Sequence, residues 1–374
     1  MNALPSEERP VVLVYGQGSK AARGRHEVET LRELARQIAA LVGAPFAGEF
    51  DPAREYPAKR YLIPDDTLGS DDAQRLGVAS ERDLYGGVVP FPFVATKVVV
   101  HGLPPGAREA PEGWAPAFGE RVKKIVLPGF SAFTRDDAHA AASLLWRDGA
   151  VRLKRPSGIG GTGQAVVADR AALDAQLDDI GDETLRAQGV VLERDLREIE
   201  TLSVGRVRLG DLEASYYGVQ RLTPNNHGHQ VYGGSDLVVV RGGFDALSRI
   251  GMTAEARVAI DQSRAFDEAI TDTFAGFYAS RRNYDVGSGT DARGQSYCGV
   301  LEQSWRIGGA SGAEIGALKL FRDDPAVRIV RASTTEVYGA NAPVPADARV
   351  YYRGIDPRAG EITKYCTVDG ESER

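Results

Sequence analysis

The chain has 374 residues, 43% hydrophobic and 26% charged, and its 45 basic against 52 acidic side chains leave a net charge of −7. That length accommodates two or three domains with cores of their own, and that composition excludes a disordered chain, a collagen-like repeat and a coiled-coil rod. The acidic balance repels phosphate polymers and anionic lipid, so neither nucleic acid nor a membrane surface is an expected partner.

Residues Met1 to Pro10 carry Glu7 and Glu8 where an export signal needs basic residues and then an apolar run, so export is not expected. Val11 to Val14 begins a β-branched strand that ends in the loop Gly16-Gln17-Gly18-Ser19. Val28, Leu31, Leu34, Ala35, Ile38 and Leu41 then recur at helical spacing up to Gly43, a C-terminal cap. Strand, loop and helix in that order predict an α/β domain over residues 1–115. Tyr61 to Ile63 and Val88 to Val89 read as further strands, and Leu103 to Pro116, with four prolines, as a linker. No apolar stretch reaches the ~18 residues that cross a bilayer.

A second unit is expected over residues 116–195. Thr134 caps a helix, Asp137 takes the capping-box position and Gly149 follows. In Val151-Arg152-Leu153-Lys154 the alternation puts Arg152 and Lys154 on one face, and Gly158 to Gly163 then form a glycine-rich hairpin before Ala165-Val166-Val167. Gly189 to Leu192 is a buried strand ending at Glu193. Over residues 196–345, Leu202 to Val207 and Ala214 to Val219 predict antiparallel strands, residues 221 to 235 a polar loop, and Phe266, Ile270, Phe274 and Phe277 one stripe of a long helix. Two strands close the unit, one through Tyr284-Asp285-Val286 and one from Tyr297 to Ser304. The tail, 346–374, contains the strand-like Val350 to Tyr352 and suggests no function.

Several of these residues carry chemistry. Four glycines within Gly158 to Gly163 let backbone N–H groups approach phosphate oxygens, although a plain tight turn has the same composition. A P-loop is excluded, because Gln164 and a strand follow instead of Lys, Ser or Thr and a helix. Lys154 leads into that hairpin and can neutralise phosphates. Glu302, Ser304 and Arg306 share a strand face beside Asp285, an oxygen set suited to a hard cation held together with substrate phosphates; a structural Glu–Arg pair is the alternative. Arg241, leaving Val238-Val239-Val240, is a phosphate candidate or a surface arginine. His227 and His229 lack a third ligand for zinc, and Gly16 to Ser19 lacks the third glycine of a dinucleotide fingerprint; that loop is expected to face a cleft and read an acceptor. Cys298 and Cys366 form no CxxC pair, Cys298 reads as a core thiol, and a reducing, cytoplasmic setting is expected.

In order, these residues resemble the ATP-grasp superfamily, the fold of biotin carboxylase, glutathione synthetase and D-alanine ligase. Lys97 in Ala95-Thr96-Lys97 resembles the lysine before the lid, Lys154 the lysine that begins it, Glu193 and Glu200 the hinge and ribose acids seven residues apart, and Glu302-Gln303-Ser304-Trp305-Arg306 the Glu-x-Asn-x-Arg metal motif, preceded by Asp285. Ser304 departs from that motif's asparagine, and a hydroxyl is a shorter and weaker metal ligand than a carboxamide oxygen. Glu302 to Ser311, with Gly308-Gly309, also resembles a bacterial group of ATP-grasp-like proteins of unknown function.

The resemblance implies a mixed α/β and α+β architecture: an N-terminal pre-ATP-grasp-like domain, a lid-bearing subdomain over 116–195 and a metal-bearing subdomain over 196–345. It implies ATP and Mg2+ as cofactors. Lys97, Lys154, Gly160, Gly161, Gly163 and Arg241 would address phosphates, and Glu193, Leu196 and Glu200 the nucleoside. Asp285, Glu302 and Ser304 would hold magnesium, and Arg306 with Lys154 would act at the reacting groups. The implied activity is an ADP-forming carboxylate–amine ligase acting on small molecules; a non-catalytic ATP-binding sensor or scaffold, or a small-molecule kinase, are the alternatives. Homo-oligomerisation is left open.

Overall fold

A computed structural model describes residues 10–17, 23–56, 59–156, 163–340 and 342–369. The chain begins with β1 (Val11–Tyr15), α1 (Arg25–Val42), β2 (Phe46–Glu49) and β3 (Arg60–Pro64), a three-stranded parallel sheet in the order β2-β1-β3. Leu31, Leu34 and Ile38 of α1 are buried, and Gly43 ends the helix at φ 73°, a left-handed conformation that glycine adopts without strain. Next come β4 (Leu68–Gly69), α2 (Ser70–Leu76) and β5 (Gly87–Val89), two 3-10 turns at Pro92–Ala95 and Lys97–Val100, and α3 (Pro116–Val122).

The lid-bearing unit contains β6 (Gly129–Ala132), α4 (Arg135–Leu145), β7 (Val151–Lys154), β8 (Gln164–Val167), α5 (Arg170–Ile180), α6 (Asp182–Gln188) and β9 (Val190–Arg194). Its sheet runs β6-β9-β7-β8, and Val151, Leu153 and Leu192 pack against Leu173 and Leu177 of α5. Thr134 caps α4 by accepting a hydrogen bond from the Asp137 amide at 3.1 Å. Strands β7 and β8 pair as an antiparallel hairpin. Gly160 and Gly161 lie outside the described residues.

The remaining elements are β10 (Arg197–Leu209), β11 (Leu212–Pro224), β12 (Gln230–Arg241), α7 (Phe244–Leu247), α8 (Ala254–Thr273), β13 (Tyr278–Ala279), β14 (Arg281–Thr290), β15 (Ser296–Ser304), α9 (Ser311–Asp323), β16 (Ile329–Tyr338), β17 (Arg349–Asp356) and β18 (Gly360–Asp369). Eight of the strands form one sheet in the order β15-β14-β10-β11-β12-β16-β18-β17. Alternation divides it into two faces. Val207, Tyr216, Leu237 and Val239 pack under α1 and α9, whereas Val204, Tyr284, Val286 and Val300 pack under α3 and α8. Strand β13 pairs with β5, which ties the first unit to this sheet.

Three expectations change. The polar loop of 221–235 shrinks to residues 225–229, because β11 and β12 continue as a long hairpin through Thr223↔Val231. The long helix stops at Thr273; Phe274 and Phe277 lie beyond it but stay in the same core as Phe266 and Ile270. The tail is structural, since β17 and β18 complete the large sheet and Asp356 accepts a hydrogen bond from the His26 amide at the start of α1, 3.0 Å away. Among the described residues no helix is long and apolar enough to cross a membrane.

Candidate active site

The edge strand β15 and its neighbour β14 place Asp285 directly opposite Glu302 and Asn283 opposite Ser304. Pleating alternates the side chains. Trp305 is fully buried, while Gln303 points the same way and donates to the carbonyls of Val94 and Thr96 at 2.9 and 2.8 Å. Those two bonds fix the 3-10 turn that begins at Lys97, and the Lys97 ammonium lies 2.8 Å from Glu302 Oε2. A β-bulge between the Asp285 and Val286 pairings leaves Leu301 as the extra residue beside Glu302.

Asp285 receives hydrogen bonds on Oδ1 from Ser203 Oγ and Asn283 Nδ2, both at 3.0 Å. Burial, and then the charge of Glu302, push its carboxyl above the usual range. Two carboxylates on facing strands with neutral oxygen donors beside them fit a hard cation that shares its ligands with phosphates. Among the described residues no group of three or more His, Cys, Asp or Glu is placed to hold a metal, so such an ion would depend on a bound substrate for the rest of its shell.

Lys154 and Glu193 meet inside the lid-bearing sheet, Nζ to Oε1 at 2.5 Å, and His101 Nε2 stands 3.2 Å from Glu193 Oε2. All three side chains are buried. Burial alone would raise the Glu193 carboxyl, but the Lys154 ammonium and the His101 contact outweigh it and bring it to about 2. The Glu193 carboxylate is therefore paired with Lys154 and His101, inside the lid-bearing sheet. The signal for this was Gly129, where a Cβ would come within 2.8 Å of His101 Cε1 and 2.9 Å of Glu193 Cβ.

Beyond Glu193 the hinge carries buried Leu196 and then exposed Ile199 and Glu200 on β10. Gly287 and Gly289 of β14 make room here: a Cβ on Gly287 would meet Leu301 and Ile199 at 2.8 and 3.0 Å, and one on Gly289 would lie 3.3 Å from the Leu196 Cβ. An apolar patch of Leu196, Ile199 and Leu301 thus adjoins Glu302. Sequence reading missed Ile199 and Leu301, for which the Gly-x-Gly step in a strand was the available clue. Gly163, at φ 71°, closes the lid hairpin through a bond from the Arg155 amide to its carbonyl at 2.9 Å.

Arg306 follows the same face toward the first unit. Its Nε lies 3.7 Å from Asp66 Oδ1, past the C-terminal end of β3, where Gln17 and Arg23 also bind Asp65. Burial holds the Arg306 guanidinium below its usual range despite Asp66. The end of β15 is held by a buried group the sequence did not reveal. Arg281 pairs with Glu314 of α9 at 2.7 Å and donates to the carbonyls of Ser304 and Arg306 at 3.2 and 2.7 Å, while Tyr85 and Tyr216 bind the Glu314 carboxylate at 2.7 and 2.6 Å.

One expectation, Arg241, fails to join the site. Arg241 sits four residues beyond Leu237, which shares a row with Gly218, Ser203 and Asp285, and its guanidinium donates to the carbonyls of Phe321, Val327 and Asp324 over the Phe321 ring. It caps α9. His227 and His229 donate their backbone N–H groups to Asn225 Oδ1 in the exposed β11–β12 turn. Cys298 is half-buried against Gln262 and Cys366 is in the core, both as free thiols.

A family model described as a protein of unknown function, DUF3182, matches residues 14–366, and the chain belongs to that family. No curated protein matches the sequence. Among solved structures it is similar to N5-carboxyaminoimidazole synthetase from Staphylococcus aureus, at 13% identity and a TM-score of 0.50 over 97% of this chain and 94% of that one. It is also similar to a β,γ-ATP complex of biotin carboxylase from Campylobacter jejuni, at 11% identity and a TM-score of 0.51 over 97% and 88%. A third similar structure is carboxyaminoimidazole ribonucleotide synthase from Aspergillus clavatus complexed with ATP, at 12% identity and 0.50 over 97% and 94%. These are ATP-grasp enzymes, and the chain has the ATP-grasp fold.

Proposed function

We propose that this member of the DUF3182 family is an ATP-dependent, ADP-forming ligase that activates a small-molecule carboxylate as an acylphosphate for attack by an amine. The observation that supports it most is the pairing of both lysines with site carboxylates, Lys97 with Glu302 and Lys154 with Glu193, on a fold shared with ATP-bound enzymes. A bound polyphosphate would, in this reading, take over part of the neutralisation that Glu302 and Glu193 now provide to the two ammonium groups.

In this reading a nucleoside lies against Leu196, Ile199 and Leu301, with Glu200 at the rim. Lys97 and Lys154 neutralise its phosphates, and the lid hairpin excludes water from the transferring group. Asp285 and Glu302 would hold magnesium together with the phosphates, and the ion would supply charge neutralisation to the phosphoryl transfer. Arg306, between the large sheet and the ends of β1 and β3, orients the acceptor carboxylate. A carboxylate oxygen attacks the γ-phosphorus as the bond to the bridging oxygen breaks, releasing ADP. The amine then attacks the acyl carbon, the C–O bond to phosphate breaks, and the amine proton passes to solvent.

Hydroxylamine tests the reaction class without knowledge of the natural amine. A carboxylate-dependent hydroxamate formed with ADP and phosphate in equal amounts is expected on screening small carboxylic acids. Nucleotide binding with no ADP formed under any carboxylate would instead favour the sensor reading.

A further inference from the structure

We propose that the carboxamide of Asn283, and not the hydroxyl of Ser304, is the neutral side-chain oxygen offered to the divalent cation beside Asp285 and Glu302. This rests on the reading of the cleft as a metal–nucleotide site. Cross-strand register is the first observation: Asn283 stands directly opposite Ser304 and two residues before Asp285, so it shares their face and delivers a carboxamide from the neighbouring strand.

Ser304 is poorly placed for the task. Arg281 Nη1 lies 3.4 Å from its hydroxyl, and that fully buried guanidinium is fixed by Glu314 and by the carbonyl of Arg306. A metal on Ser304 Oγ would sit against a positive charge that cannot withdraw.

The amide of Asn283 is buried between two partners, with Nδ2 3.0 Å from Asp285 Oδ1 and Oδ1 2.9 Å from Tyr216 Oη. Tyr216 has one hydroxyl hydrogen. The Glu314 carboxylate, 2.6 Å away, can only accept and is the stronger claimant for it. The amide group against Tyr216 is then best satisfied as an NH2 donor. Turning the amide by half a revolution places nitrogen on Tyr216 and oxygen beside Asp285 Oδ1, two oxygens that require a cation between them. The two orientations become two states: NH2 on Asp285 without the cation, oxygen toward it with the cation.

The test is Mn2+ binding in the presence of a non-hydrolysable ATP analogue, read by the free-Mn2+ paramagnetic resonance signal. Asn283→Ala is expected to weaken binding by about tenfold or more, as loss of a metal-site partner does, whereas Ser304→Ala stays within about twofold of the wild type. Asn283→Asp separates a ligand from a residue that merely orients Asp285, because aspartate supplies oxygen but cannot donate to Asp285. It is expected to bind Mn2+ at least as tightly as the wild type, and binding as weak as in the alanine variant would overturn the proposal. So would Ser304→Ala losing the metal while Asn283→Ala keeps it. Should Asn283→Ala fail to fold, the near-isosteric Asn283→Leu replaces it with the same expectation. A wild type that binds neither the analogue nor Mn2+ overturns the site reading itself; analogue and Mn2+ binding untouched by every Asn283 variant overturns only the role of Asn283.

Discussion

Lys97 and Glu302, from opposite ends of the chain's middle, form an ion pair at 2.8 Å in which the lysine side chain is 8% exposed and the glutamate 32%. It is the point at which the turn after β5 and the edge of the large sheet meet, and it leaves Glu302 compensated while Asp285 stands next to it.

A double-mutant cycle is expected to find these two residues coupled. Lys97→Ala leaves Glu302 beside Asp285 without this counter-charge, and Glu302→Ala removes the carboxylate paired with a buried ammonium. Each should cost about 1–3 kcal/mol, below the ~3–5 of a wholly buried pair because Glu302 is partly exposed. The double variant should cost less than the sum by about 1 kcal/mol in urea denaturation, and strict additivity would show that the contact is not made in solution.

Glu193 predicts a pH dependence. Its folded carboxyl lies at about 2 against an ordinary 4.5, so its contribution is fully present above pH 4.5 and is lost as pH falls from there toward 2. The shift corresponds to roughly 3 kcal/mol at neutral pH. Glu193→Gln should therefore unfold more readily at pH 7 and show a flatter decline below pH 4.5 than the wild type, measured as unfolding free energy against pH.

Arg241→Ala should lower thermal stability by removing the donor to three carbonyls at the end of α9, a loss of about 1–2 kcal/mol. Affinity for an ATP analogue should stay within about twofold. A large loss of affinity with unchanged stability would return Arg241 to the phosphate site.

Asp356 tests the role of the tail. Burial would raise its carboxyl, but backbone N–H groups of Ala359, His26 and Arg358 hold it at about 2. Its contribution is present above pH 3.8 and lost as pH falls toward 2. Asp356→Ala should cost about 1–2 kcal/mol at pH 7, and the difference from wild type should close in that acid window; a constant difference across it would contradict the assignment.

Local chemistry was legible in the sequence where it is carried by period and spacing. The cap at Gly43, the Thr134 cap, the lid hairpin and the shared face of Glu302, Ser304 and Arg306 all follow from 3.6- or 2-residue periodicity, and the order of acids and lysines pointed to the ATP-grasp fold. Partners that depend on register were not legible. Arg241 ends an apolar strand as a site residue would, but it ends it at the far end from Asp285, which only the pairing across β14, β10, β11 and β12 reveals. Asn283 escaped for the same reason, since its proximity to Ser304 is a cross-strand fact, and Glu314 because nothing local marks a helix glutamate as the partner of Arg281. Glu193 was singled out as an acid closing an apolar run, yet only tertiary contact shows that its charge belongs to Lys154.

The most direct measurement is thermal unfolding with magnesium and a non-hydrolysable ATP analogue, comparing the wild type with Lys154→Ala and Glu302→Ala. Ligand that binds only the native state raises the apparent stability, by about 2.7 kcal/mol at a hundredfold excess over the dissociation constant. The expected result is a raised melting temperature in the wild type that both substitutions abolish. No rise in the wild type, or an equal rise in all three proteins, would contradict a nucleotide site built on Lys154 and Glu302.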